Sequence, residues 1–123
     1  AVLEGGPIGR GGGGSRARSS PAISLDRLSA GAAAQNTQGL SAAGRALQKH
    51  GVRENSAFPM PRGNIENINR QAQQVVDDIL TSPGTTSTMR HHPRFGNIVE
   101  MRAPDGRGVR FGADGRFIGF LEP

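Results

Sequence analysis

Between Asn64 and Leu80 runs NIENINRQAQQVVDDIL, in which Ile65, Ile68, Ala72, Val75, Val76, Ile79 and Leu80 recur at three- and four-residue steps. That spacing gathers them into one stripe of an α-helix, with Asn64 as its N-cap and Ser82-Pro83-Gly84 as its end. A helix with a single apolar stripe must bury it, and the residues that follow supply a surface. TTSTMRH, NIVEMRA, RGVRFG and RFIGFLEP place β-branched and aromatic residues between turn dipeptides, which predicts an antiparallel meander of about four strands. Asp105-Gly106 and Asp114-Gly115 are the expected hairpin turns, where glycine accepts a positive φ. Along GVRF, Val109 and Phe111 share one face and Gly108 and Arg110 the other, whereas RFIGFL is apolar on both sides and yields no face.

Upstream, Ser41 is a candidate N-cap for a short helix that carries Ala42, Ala43, Ala46 and Leu47 and stops at Gly51. GVRENSAFPMPRG then reads as a loop with Phe58 anchored in the core. The fold class is therefore α+β: helices packed on a small antiparallel meander. Composition breaks near Gly39. Residues 1–39 hold nine glycines and no aromatic, while Phe58, Phe95, Phe111, Phe117 and Phe120 all lie beyond. The expected division is a flexible Gly/Ser/Arg-rich linker or translocation-associated segment over 1–39 and a folded domain over 40–123. Within the first part, ISLDRLSAGAAA could form a short docking helix capped by Ser24.

At 123 residues without cysteine, the chain has neither a disulfide framework nor thiolate metal ligands. No run approaches the roughly 20 apolar residues of a membrane span, and AVLEGGPIGR lacks the order of a signal peptide. A start on Ala1 suggests a piece of a longer polypeptide. The acids are scattered and no His/Glu spacing matches a zinc helix, so no metal or cofactor is expected.

Fifteen cations face ten acids, for a formal charge of +5, and fourteen of the fifteen are arginine. The planar guanidinium holds phosphate oxygens bidentately, which favours a polyanionic partner. Lys49, His50 and Arg53 follow the first predicted helix of the domain, Arg90, His91, His92 and Arg94 enter the sheet, and Arg102 and Arg110 lie farther on. Imidazole with guanidinium suits metal-free RNA cleavage, because RNA carries its own 2′-hydroxyl nucleophile. The plainer readings are that Lys49-His50 caps a helix end and that a basic strand face is simply solvated. His91 and His92, adjacent on a strand, point to opposite faces.

GRALQKHGVRENSAFP, GNIENINRQAQQVVDDILTSPGTT and RFGNIVEMRAPDGRGVRFGADGRFIGFLEP, in that order, resemble the C-terminal toxin domains of contact-dependent growth inhibition filaments and other polymorphic toxins. The resemblance covers Leu40 to Pro123. The order helix, helix, meander also resembles the tRNase domain of colicin D and the wider barnase, EndoU, colicin and RelE fold group. It implies a metal-independent endoribonuclease, acting on tRNA, carried on the tip of a larger secreted, cell-surface exoprotein and active in the cytoplasm of a target bacterium. A cognate immunity protein with an acidic surface is the implied partner, besides the RNA. On this resemblance His50 is the acid/base, Arg53 and Arg94 hold the scissile phosphate, Ser56 donates a hydrogen bond and Lys49 attracts the backbone. Thr86, His91 and Arg110 are candidate substrate contacts from the sheet. The sequence departs from the family pattern at Asn55, where glycine is frequent, and at Gly112, where aspartate is. His91-His92 has no counterpart in that pattern and is a candidate for the second acid/base.

A nucleic-acid-binding module without catalysis is the alternative, weakened by the scarcity of aromatics to stack on bases. A structural tail of a secreted filament is a third.

Overall fold

The structure, a computed structural model, describes residues 23–123; the glycine-rich segment over 1–22, assigned above to a linker, lies outside the described residues. The described chain forms α1 (Leu25–Ala33), α2 (Ala42–Gly51), α3 (Ile65–Thr81), β1 (Thr86–His92), β2 (Gly96–Arg102), β3 (Gly108–Gly112) and β4 (Phe117–Leu121). The strands make one antiparallel sheet in sequence order, the expected meander. None of the described helices is long and apolar enough to cross a membrane.

Each helix begins where a side-chain oxygen can satisfy a free backbone N–H. Ser24 Oγ accepts from Arg27 N–H at 3.1 Å, Ser41 Oγ from Gly44 N–H at 2.9 Å and Asn64 Oδ1 from Asn67 N–H at 2.9 Å. The α3 stripe buries Ala72, Val76, Ile79 and Leu80 against Val99, Met101, Val109, Phe111 and Phe120 of the sheet, with Ala43 and Leu47 of α2 and Phe58 closing one side. Gly106 (φ 95) and Gly115 (φ 93) make the two predicted turns.

The composition break at Gly39 is not a break in packing. Leu28 and Ala32 of α1 are fully buried in the same core, and Gly31 lies so close to the last hairpin that a β-carbon there would stand 2.1 Å from Gly115 O. The folded body thus reaches back to Ile23, and a third helix joins the two expected on the sheet.

The ambiguous RFIGFL resolves through a bulge. Arg110 pairs with Gly119 but Phe111 pairs with Phe117, so Ile118 is the extra residue. One inserted residue reverses the alternation, and Phe117 and Phe120, three apart, both turn to the core.

Candidate active site

Where α2 packs against β4, a cleft of about 630 Å³ opens between them. Arg45, Lys49 and His50 line it from α2, Arg53 from the turn that follows, Phe117 to Leu121 from β4, Arg110 from β3 and Phe95 from the β1–β2 hairpin.

His50 is 8% exposed, set edge-on to the rings of Phe58 at 5.3 Å and Phe120 at 6.0 Å. Its Nδ1 lies 2.9 Å from Glu122 Oε2. Ser56 Oγ donates to the same oxygen at 2.7 Å and Ala57 N–H to Oε1 at 2.9 Å. Burial by itself would raise the Glu122 pKa, but the bonds from His50, Ala57 and Ser56 outweigh it and bring the carboxyl from 4.5 down to about 2. Glu122 is therefore ionised at neutral pH and Nδ1 donates its proton to it. Arg53 NH1 also approaches Nδ1, at 3.2 Å, yet one nitrogen cannot donate to Glu122 and accept from Arg53 at once. The shorter contact, an N–H facing an ionised carboxylate, fixes the choice, and Nε2 becomes the open nitrogen, with no hydrogen-bond partner among the described residues.

Local backbone puts Glu122's partners in place. Asn55 takes φ 63, the left-handed region that asparagine and glycine tolerate. The reversal turns Ser56 and Ala57 toward the chain's end. Arg102 NH1 secures that end by donating to the backbone oxygens of Gly106 at 2.7 Å and Glu122 at 2.9 Å.

On the sheet face away from the helices, Arg110 donates through Nε to Glu100 Oε2 at 2.7 Å, and Arg90 NH2 reaches the same oxygen at 3.1 Å. Burial would raise the Glu100 pKa, but hydrogen bonds from Arg90 and Arg110 lower it overall. His92 Nδ1 accepts the N–H groups of Arg94 and Phe95 at 3.0 and 3.3 Å. Desolvation, then the charges of Arg110 and Arg90, hold the His92 pKa below its usual value. Arg94 sits 5.2 Å over the Phe95 ring and Arg110 6.0 Å over it.

Of the residues singled out from sequence, His50, Arg53, Lys49 and Arg110 meet in the cleft, whereas Arg94 is not in its lining and lies over the ring of Phe95, which is. Ser56 is turned behind His50, its hydroxyl committed to Glu122, so it is placed to hold Glu122 and not to donate into the cleft. Thr86 pairs with Arg102 at the other end of β1 from His92, and neither it nor His91, which bonds Asn97 at 3.3 Å, lines the cleft. Glu122, Glu100 and Arg45 escaped sequence reasoning; a carboxylate ending an apolar strand, as in FLEP, is a weak signal for the first. Among the described residues no three His, Asp or Glu side chains gather as a metal site requires.

Fold and cleft together define a small cationic α+β domain with one imidazole at the floor of an arginine-lined recess, suited to a polyanion. The model of the family described as the CdiA C-terminal tRNase toxin domain matches residues 29–122, and the chain belongs to that family of ribonuclease toxins. Among solved structures it is similar to the toxic C-terminal tip of CdiA from Pseudomonas aeruginosa in complex with an immune protein, at 33% identity, over 74% of this chain and 98% of that one, with a TM-score of 0.58. No curated protein matches the chain.

Proposed function

We propose that this domain cuts tRNA without a metal, with His50 as its acid/base. The 2′-hydroxyl attacks the adjacent phosphorus while its proton passes to a base; the bond to the 5′ oxygen breaks and that oxygen takes a proton. The products are a 2′,3′-cyclic phosphate and a 5′-hydroxyl end. His50 Nε2 serves one of the two proton transfers, and Glu122, held by Ser56 and Ala57, fixes the tautomer that leaves Nε2 available. Arg53 and Arg110, both in the lining of the cleft, are the groups that stabilise the phosphorane, with Lys49 and Arg94 adding positive potential. The observation that carries this reading is the His50–Glu122 pair at 2.9 Å on the floor of the cationic cleft.

The test is incubation of the chain with total bacterial RNA in excess EDTA at low salt. A discrete tRNA fragment bearing a cyclic phosphate is the expected product, and His50→Ala is expected to cut the rate by about 10² to 10⁴. Cleavage that stops in EDTA and returns with a divalent ion refutes the metal-free mechanism. Retarded but intact RNA supports the binding module instead.

The domain acts in this reading at the tip of a larger secreted protein, in the cytoplasm of the target cell, and is neutralised by an immunity protein whose contact face is predominantly acidic. The solved CdiA tip, captured with its immune protein, supports the partner; the net charge of +5 supports its sign.

A further inference from the structure

Among the described residues four arginines are paired with carboxylates. Arg90 and Arg110 are bound to Glu100, Arg107 to Asp78 and Asp105, and Arg116 to Asp114. The other described cations have no carboxylate within 4 Å among the described residues, and of these Arg45, Lys49 and Arg53 stand together on α2 and just past its end. They recur at four-residue steps, so Arg45 and Lys49 lie about 6 Å apart along the exposed side of α2, and Arg53 continues the row just past its end. The helix, AAGRALQKHG, contains no acid at all.

Lys49 near the C-terminus of α2 is explained by the helix dipole, which favours a cation there. Arg45 is not. It is the fourth residue of the helix, at the end where the dipole opposes a positive charge, and it is exposed without an anionic partner among the described residues. Arg45 and Lys49 line the main cleft and also, with Asn36 and Leu40, a second groove that runs past Gln48 to Val52. Arg45 and Lys49 thus border both, and Arg53 lines the main cleft alone.

We infer that Arg45, Lys49 and Arg53 form a track for the RNA backbone, carrying phosphates next to the scissile one out of the cleft, over α2 and into the second groove. This inference rests on the ribonuclease reading above and adds to it a phosphate subsite at Arg45. Phosphate, unlike a protein carboxylate, arrives as a regular row of charges, which matches a row of cations with no carboxylate partner among the described residues, set along α2 and past its end.

The experiment uses the whole chain with tRNA as substrate and compares Arg45→Gln with Arg70→Gln, an exposed cation on α3 outside both grooves. Arg45→Gln is expected to raise KM roughly threefold to tenfold at low salt and to make the logarithmic salt dependence of binding shallower by about 0.7 to 0.9; Arg70→Gln is expected to do neither. Binding of uncleaved tRNA is measured in parallel in a His50→Ala background. An Arg45→Gln protein with wild-type KM and salt slope overturns the track. So does one that binds RNA normally but loses affinity for the proposed immunity protein, since the row is then a protein docking face. If the wild-type chain cuts no tRNA, the ribonuclease reading fails, and the binding comparison in the His50→Ala background still decides the track.

Discussion

Glu122 and His50 stand 72 positions apart and meet at 2.9 Å, so the behaviour of each side chain is set by a residue no local pattern connects to it. Replacing Glu122 with Gln removes the charge that keeps the proton on Nδ1. We expect kcat to fall at least about tenfold and the pH profile of kcat to shift, while KM changes little; an unchanged pH profile would make Glu122 a structural tether only. The same carboxyl links stability to pH. Its folded pKa, about 2, lies below the ordinary 4.5, so its contribution is complete above 4.5 and is lost as pH falls through 2. With the side chain 30% exposed, solvent limits that contribution to about 1–2 kcal/mol. Urea midpoints of wild type and Glu122→Gln are therefore expected to differ at pH 7 and to converge toward pH 2.

At the level of elements, the helices were legible because their signals are local. Ser24, Ser41 and Asn64 each bond an N–H three residues on, a relation that spacing alone displays. The docking of α1 was not legible, since nothing in ISLDRLSAGAAA states that Leu28 will be buried against α3 and the sheet. A chain beginning at Leu40 removes Leu28 and Ala32 from the core and is expected to unfold at markedly lower urea than one beginning at Pro21. Leu28→Ala alone is expected to cost about 2–5 kcal/mol. Gly31→Ala is the sharper test. Helix propensity favours alanine there by up to about 1 kcal/mol, yet the clash with Gly115 O predicts a net loss of about 1–3 kcal/mol. A stabilised Gly31→Ala protein would show that α1 is not seated against the last hairpin. The bulge at Ile118 is another feature of this scale: alternation cannot be read through an inserted residue, which is why β4 has no legible face until its pairing with β3 is seen.

For the molecule as a whole, a charge of +5 carried almost entirely by arginine predicts binding that weakens steeply with salt. The association rate of the proposed immunity protein is expected to fall as ionic strength rises, measurable by stopped flow. A rate indifferent to salt would point to a neutral contact face.

What the sequence alone determined follows from nearest neighbours along the chain: the helix stripe, the caps, the glycine turns, the meander and, through its family resemblance, a ribonuclease toxin. What only the tertiary structure decided is which distant groups converge. It drew Lys49, Arg53 and Arg110 into one cleft, left Thr86 and His91 outside it, and turned Ser56 to Glu122. Convergence of that kind is fixed by how α2 packs on β4 and where the chain's last residues are tied down. Those contacts are made between elements, where spacing along the sequence carries no information.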